Sequence, residues 1–392
     1  MIPKLGVGIV GYGFIGKVHT YGYLNLPLFY DPPPAKIKLV GVCTAHPETA
    51  KKAKEKIGFE LATTNYKELL NRDDIHIINC CTPNYLHKDL LIDSLKAGKN
   101  VYCDKPLALN LKEAKEILDA AQKSKVVHQM TFEYRFIPAI MRAKNLIEEG
   151  FLGRVLSFRS YYLHSGYIDP QRPLTWRMDK EKAGGGALFD LGSHILDLLR
   201  YLLGEYKSVL ATTYTFTKER PLLNNFSEKG KVKVDDLTLL QIKMDNGAIG
   251  TLEASRVATG ANDEFRLEIH GDKGAIYFNS MDPNWLYIYD ATEEGEPLGG
   301  KRGFKKLETV QRYPKPATLP GPKFTIGWMR YHLASQYEFV KRIVDGQQAS
   351  SSFYDGYKVQ EIMEAAYLSE KKKMWVDLPL LNLNSANHFV YI

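Results

Sequence analysis

Residues Leu5 to Val10 form an apolar, β-rich stretch that runs directly into Gly11-Tyr12-Gly13-Phe14-Ile15-Gly16, after which Lys17-Val18-His19 opens a helical pattern. A strand, a glycine turn and a helix in immediate succession leave the chain few architectures. Gly11 suits the tight turn, Gly13 lets backbone N–H groups approach a pyrophosphate, and Gly16 allows the helix to lie close on the strand. A bound phosphate then meets the positive end of the helix dipole. The motif alone is a weak signal, and its surroundings strengthen it. Further apolar strands are expected at Lys38 to Cys43, Ile75 to Cys81 and Asn100 to Cys103, with helix-length segments between them. Alternating β and α units predict a doubly wound parallel sheet with right-handed crossovers.

Ligands of such sheets collect outside the carboxyl ends of the strands. Dinucleotide contacts are therefore expected from Gly11, Gly13, Phe14, Ile15 and Gly16 at the first turn, and from Thr44, Ala45 and His46 after the second strand. Cys81, Thr82, Pro83, Asn84 and His87 follow where a later strand gives way to helix, and Asp104 and Lys105 follow Cys103. The second strand ends in Val42-Cys43-Thr44-Ala45-His46-Pro47. It offers neither the acid that binds the ribose 2′-OH of NAD nor the Arg that accommodates the 2′-phosphate of NADP, so either dinucleotide fits this reading. Lys105, fixed in its turn by Pro106, is poorly explained as a solvating charge and is a candidate for chemistry. Leu26 to Ala35, LPLFYDPPPA, lengthens the first crossover and is expected as a loop because of its proline run.

Composition excludes several classes. At roughly 150 residues per domain, 392 residues suggest two or three domains. The 52 Lys and Arg against 45 Asp and Glu leave a net +7 that is dispersed, without the aromatic interleaving of a nucleic-acid surface. No window reaches the roughly 20 apolar residues of a membrane span, and the short Gly-interrupted stretch after Lys4 does not resemble a secretory leader. Cys43, Cys80, Cys81 and Cys103 are the only cysteines, with no C-x-x-C pair, so neither a structural metal nor a disulfide framework is expected. A reduced, cytoplasmic setting fits best.

From Tyr134 the pattern changes. A helical segment through Glu149 is followed by strands near Val155 to Leu163, Val209 to Phe216, Leu237 to Met244, Ala248 to Arg256, Phe265 to His270 and Ala275 to Phe278. Asn246-Gly247 between two of them is a strong hairpin signal. These features predict an α+β domain with a large, mainly antiparallel sheet. The expected division is residues 1–130 for nucleotide binding and 131–392 for substrate binding and oligomerisation. Lys218 to Lys233 reads as a polar loop, and Asp282 to Lys323 as an irregular excursion, over a site or as packing surface.

The main chemical feature is Ala183-Gly184-Gly185-Gly186-Ala187-Leu188-Phe189-Asp190-Leu191-Gly192-Ser193-His194-Ile195-Leu196-Asp197. On a regular helix, at about 100° per residue, Asp190, His194 and Asp197 fall within roughly 60° of one another. A carboxylate one turn from an imidazole orients the ring and raises its basicity, as a general base requires.

Taken together, the glycine turn, Asp104-Lys105-Pro106, Gly184 to His194 and the segments PLTWRMDKEKAGGGAL, EASRVATG and EIHGDKGAIYFN resemble the Gfo/Idh/MocA family of sugar and polyol oxidoreductases over nearly the whole chain. They are most similar to members that oxidise the C3 hydroxyl of glucose-type rings. The resemblance implies a Rossmann domain, a mixed-sheet substrate domain, NAD or NADP, a sugar or polyol substrate, and a homodimer or homotetramer. It also implies that Lys105 polarises the reacting hydroxyl, His194 accepts its proton, and Asp190 orients His194 or contacts substrate. Tyr134, His164, Trp176, Arg177 and Arg256 are the further expected substrate contacts. The sequence departs from the family pattern at Asp104, where Glu is usual, at Glu133, where related sequences often carry Asn, and at Leu163-His164-Ser165-Gly166. An NAD-dependent redox glycosidase is the alternative enzyme. A non-catalytic nucleotide-sensing regulator would be expected to lack the lysine or the histidine.

Overall fold

The computed structural model of the chain describes residues 2–380. Its first sheet comprises β1 (Lys4–Val10), β2 (Lys36–Cys43), β3 (Leu61–Thr63), β4 (Ile77–Cys80), β5 (Asn100–Cys103) and β6 (His128–Met130). The connecting helices are α1 (Phe14–Phe29), α2 (Pro47–Ile57), α3 (Tyr66–Leu70), α4 (His87–Lys96) and α5 (Leu111–Lys123). All six strands are parallel, in the order β3-β2-β1-β4-β5-β6. This is the doubly wound Rossmann arrangement, whose order reverses between β1 and β4 and opens a crevice there. Because helices cover both faces, β1 and β4 read as continuous apolar runs and not as alternating ones. Helix α5 shows the opposite pattern, with Ala114, Ile117, Leu118 and Ala121 buried along one stripe and Asn110 capping the Glu113 N–H at 2.9 Å.

The second half contributes α6 (Pro138–Glu148), β7 (Val155–Leu163), α7 (Lys180–Ala183) and α8 (Ser193–Leu203), then strands β8 (Tyr206–Tyr214), β9 (Glu219–Leu222), β10 (Asn225–Lys231), β11 (Leu237–Met244) and β12 (Ile249–Ser255). Strands β13 (Glu264–Gly271), β14 (Gly274–Asn279), β15 (Trp285–Asp290) and β16 (Phe304–Glu308), helices α9 (Trp328–Asp345) and α10 (Phe353–Lys372), and β17 (Val376–Asp377) complete it. A nine-stranded sheet runs β16-β15-β14-β13-β7-β12-β11-β8-β17, antiparallel except between β7 and β12. The expected fold class is therefore the one observed. In β11 buried and open positions alternate, so one sheet face packs on helices and the other is left open.

Three local expectations fail. Helix α1 continues through Pro27 to Phe29, because a proline near the C-terminal end forfeits only one hydrogen bond; the Pro32 to Pro34 run does lie outside it. Residues 218–233 form a two-stranded ribbon of β9 and β10 whose charged side chains disguise it. Residues 282–323 supply β15 and β16, which extend the large sheet. In β15 Leu286 and Ile288 alternate with less buried positions, a period-two signal obscured by flanking turns.

Packing joins the two halves. One apolar cluster runs from Ile78 and Val101 through Met130 and Ile137 to Phe158, Ile195 and Phe265. The other face of the first sheet is covered by α1 and by α9, with Tyr23, Leu26, Leu333 and Phe339 packed on Val7 and Ile9. Thus α9 returns to the nucleotide half, where Ser335 meets Tyr102 Oη at 2.8 Å and Gln336 donates to the His19 carbonyl at 2.9 Å. Among the described residues no helix is long and apolar enough to cross a membrane.

Candidate active site

The glycine turn has the geometry a dinucleotide needs. Gly11 has φ +91°, and a Cβ there would lie 2.4 Å from the Cys81 carbonyl oxygen, so conformation and space both demand glycine. A Cβ on Gly16 would sit 2.2 Å from the Gly11 oxygen, the close helix–strand approach that the motif implies, whereas Gly13 faces open space. Next to this turn lies a cavity of about 650 Å³. Its walls include Gly11, Gly13, Phe14, Ile15, Thr44, Ala45, His46, Cys81, Thr82, Pro83, Asn84, Asp104 and Lys105, all expected cofactor contacts. Trp176, Arg177, Asp190 and Arg256 close it from the second half.

Gly16 and His87 are not in the cavity wall. Gly16 is buried against the strand, and His87 is wholly buried as a joint between two turns. Its Nε2 faces the Thr82 carbonyl at 3.0 Å and its Nδ1 the Pro106 carbonyl at 3.0 Å. Carbonyls only accept, so a doubly protonated ring satisfies both contacts. Although burial favours the neutral ring, Cys80 beside it and the Thr82 carbonyl push His87 up to about 9. Against their own burial effect, Cys103 and His87 hold the Cys80 thiol well below its ordinary range. The cysteines thus help fix the turns that carry Thr82 and Lys105.

Lys105 Nζ donates to Asp190 Oδ1 at 3.0 Å and to the Asp190 carbonyl. Arg256 Nη2 donates to Asp190 Oδ2 at 3.0 Å, and its guanidinium stacks 4.7 Å above the Tyr167 ring. Burial alone would raise the Asp190 pKa, but Lys105, Arg256 and Arg177 hold it well below the usual carboxylate range. It is an anion that keeps two cations in place.

The regular helix expected around Asp190 and His194 is interrupted. After α7 the glycine triplet turns the chain, Leu188–Gly192 forms a π-helical turn, and α8 starts only at Ser193. Such turns shift register by a residue and recur at functional sites. The three expected side chains consequently take different partners, although the Asp190 charge still acts on His194. Asp190 faces Lys105 and Arg256. Asp197 is 2% exposed and forms a two-pronged ion pair with Arg135, with Nε at 2.7 Å, so it belongs to the core. His194 is 8% exposed, with its Nδ1 3.6 Å from Glu133 Oε2. Burial, followed by the Lys105 charge, holds its pKa well below the ordinary range, so the ring is neutral at neutral pH.

His194, Tyr134 and His164 do not line the cavity wall. The Tyr134 ring lies 5.0 Å from the His194 ring. Tyr134 Oη meets Tyr162 Oη, Tyr162 donates to Asp263, and His164 Nε2 is 2.8 Å from the same carboxylate. Trp176 and Arg177 stack on each other, with the guanidinium 4.5 Å from the indole centroid. Sequence reasoning did not find Glu133, Asp235, Asp263 or His332 as members of this neighbourhood. No motif spacing marks them, since each reaches it from a separate element.

Asp235 explains the glycine triplet. Its carboxylate accepts from the N–H groups of Gly186 and Leu188, each at 2.9 Å, from Thr238 Oγ1 at 2.9 Å and from Tyr367 Oη. A Cβ on Gly186 would stand 1.9 Å from the Asp235 carbonyl oxygen. Gly186→Ala must therefore displace backbone. It is expected to cost about 1–3 kcal/mol of stability, the usual range for overpacking, and to lower activity by moving Asp190; denaturant unfolding and a turnover assay check both.

A glycine-turn nucleotide cavity whose wall holds an ammonium from the turn after β5, paired with a carboxylate from the second half, is the arrangement of a pyridine-nucleotide oxidoreductase. Residues 5–132 match the oxidoreductase family with an NAD-binding Rossmann fold, and residues 140–277 match the GFO/IDH/MocA C-terminal domain. Levoglucosan dehydrogenase of Pseudarthrobacter phenanthrenivorans is 38% identical over 97% of this chain and 100% of its own length. Myo-inositol 2-dehydrogenase of Thermotoga maritima is 26% identical over 95% of this chain and 98% of its own. The structure of a levoglucosan dehydrogenase complex with NADH and levoglucosan superposes with TM-score 0.91 at 39% identity, covering 96% of this chain and 99% of that one. The chain belongs to the Gfo/Idh/MocA family and is an NAD-binding oxidoreductase.

Proposed function

We propose that the protein reversibly oxidises a ring secondary alcohol, at C3 of a glucose-type sugar, anhydrosugar or glucoside or at the equivalent position of an inositol. The observation that carries this reading is the Lys105–Asp190–Arg256 clamp, which holds an ammonium at the wall of the glycine-turn cavity. The full-length likeness to levoglucosan dehydrogenase supports the sugar class. Bound NAD supplies the hydride acceptor.

As the carbinol carbon gives up hydride, negative charge grows on its oxygen. Lys105 Nζ stabilises that charge more than it stabilises the neutral alcohol, and only such a difference accelerates the step. His194, neutral at the outset, accepts the hydroxyl proton. Asp190 fixes Lys105 and Arg256; Trp176, Arg177 and Arg256 shape the sugar side from the cavity wall, while Tyr134 and His164, outside the wall, act through Tyr162 and Asp263. In this reading residues 1–130 bind nucleotide and 131–392 bind substrate, the last twelve of these lying outside the described residues. The open face of the large sheet, with Leu156, Leu239 and Ile249 exposed, supports a homodimer or homotetramer. Light scattering would then give a multiple of 44.5 kDa, whereas a monomer mass would exclude it.

The test is a panel of glucose, levoglucosan, alkyl glucosides and inositols, each with NAD and with NADP. The corner of the cavity beyond β2 is lined by Thr44, Ala45, His46, Thr49 and Thr64 and offers no guanidinium to a 2′-phosphate. NAD reduction by at least one ring alcohol, with kcat/KM for NAD about 10-fold or more above that for NADP, is the expected outcome; tenfold corresponds to about 1.4 kcal/mol. No reduction with any member, or release of an aglycone without net NADH, would overturn the dehydrogenase reading, the latter in favour of the glycosidase.

A further inference from the structure

Beside the Lys105–Asp190 pair, His194 stands in a group of enclosed ionisable side chains whose other members, Glu133 and His332, the proposed reaction leaves unused. Glu133 is 3% exposed and sits in the short turn Glu133–Phe136 that follows β6. Its Oε2 lies 3.6 Å from His194 Nδ1, and its Oε1 lies 3.7 Å from Nε2 of His332 on α9. Glu133 Oε2, His194 Nδ1 and both nitrogens of His332 are buried with no hydrogen-bond partner. No lysine or arginine among the described residues forms an ion pair with Glu133. A buried carboxylate without a cation is costly as an anion, yet this one stands between two imidazoles, one of them the proposed base. Asp190 cannot serve His194 in this way, since its oxygens are committed to Lys105 and Arg256.

We propose that Glu133 is a positioning residue for His194: facing Nδ1, it fixes the tautomer that presents Nε2 to the alcohol, and it takes up the proton that the imidazole gains. The inference rests on His194 being the proton acceptor. During oxidation the carbinol C–H pair leaves as hydride to NAD and the alcohol O–H bond breaks as an Nε2–H bond forms. The Nδ1–H proton then passes to Glu133 Oε2, which returns His194 to neutrality and leaves one proton on the carboxyl group. His332, against the other oxygen, is placed to exchange it. A carboxylate behind an imidazole performs the same orienting task in other acid–base sites.

Several charged and titratable groups act on Glu133. His194 and His332 face it, Lys105 and Asp104 act from the turn after β5, and Asp263 acts from ahead of β13. Tyr102, Tyr134 and Tyr331 stand close enough to feel its charge. Burial pushes Glu133 up to about 8. Below that pH it is neutral and resembles glutamine; above it the anion stabilises the imidazolium that forms as the alcohol is deprotonated.

The test is the pH profile of kcat/KM for the sugar of the panel that is oxidised fastest, measured for wild type, Glu133→Gln and Glu133→Asp, alongside NADH affinity by fluorescence. Wild type is expected to rise through about pH 8. Glu133→Gln should lack that rise, falling about 10-fold or more below wild type at pH 9 and within about threefold at pH 6.5, with NADH affinity retained. Glu133→Asp keeps an acid and should retain the rise at reduced amplitude. A Glu133→Gln profile that keeps its inflection, whether at wild-type level or uniformly scaled down, overturns the proposal. An aspartate variant that loses the rise together with the glutamine variant does so too, and this arm decides if the glutamine variant does not fold. His194→Ala separates the two readings. Wild-type turnover in that variant removes the base itself, whereas an inactive His194→Ala beside an unshifted Glu133→Gln profile removes Glu133 alone.

Discussion

Lys105→Ala is expected to lower kcat for sugar oxidation by about 10³-fold, the loss that follows removal of one preorganised group at a developing oxyanion, while NADH affinity stays nearly intact. The two effects separate because, in the proposed reading, the glycine turn and the loop after β2 hold the dinucleotide, whereas the ammonium is turned toward Asp190 and the second half. Stability should change little. Asp190 keeps Arg256 as a partner at 3.0 Å, so no carboxylate is stranded when Lys105 is removed. Fluorescence titration with NADH and single-turnover nicotinamide absorbance measure the two halves of the statement. Lys105→Ala turning over at the wild-type rate would remove the electrostatic account of the site.

A second large effect is expected away from the cavity. Arg135 is 4% exposed and joins Asp197 of α8 to Asp355 of α10, whose other oxygen closes a capping box with Ser352; it also donates to the Ser350 carbonyl at 2.6 Å. Burial already pushes Asp197 up to about 6 against the pull of Arg135. Arg135→Ala leaves that carboxylate enclosed without its main partner, and breaking a buried pair in this way costs about 3–5 kcal/mol. Removing both charges should be far milder, so R135M/D197L is expected to unfold at a higher denaturant concentration than R135A. Because Asp197 lies one turn beyond His194, the single variant should also lose activity. If the single and double variants were equally unstable, the packing of the guanidinium and not its charge would be what holds α8.

The nucleotide half was legible because each inference rested on local backbone demands. Gly11 and Gly16 are glycine because neighbouring carbonyl oxygens occupy the space a Cβ would need, and such demands leave a fixed spacing. The second half was legible wherever alternation was clean, as in β11, and not where charge or turn residues masked it, as in β9, β10 and β15. At the site, Asp190 pairs with Lys105, a contact that was not legible because the sequence reading gave Asp190 to His194 or to substrate. Asp190, His194 and Asp197 serve different partners where periodicity assumed one face of a regular helix, and a π-helical turn at Leu188–Gly192 interrupts that helix. Glu133 was visible only as a departure from the family pattern. Its meaning depends on α9, nearly two hundred residues later, bringing His332 to its other oxygen, and no local spacing encodes that meeting.

The proposed transfer of hydride from a ring carbon to NAD under the control of Lys105 and His194 is tested most directly with whichever sugar of the panel is oxidised fastest, carrying deuterium at C3. The account predicts a primary isotope effect on single-turnover NADH formation and one deuterium on nicotinamide C4, with the rate about 10³-fold lower in Lys105→Ala and strongly lowered in His194→Ala. Oxidation that proceeds without deuterium reaching the nicotinamide, or at an unchanged rate in either variant, would contradict it.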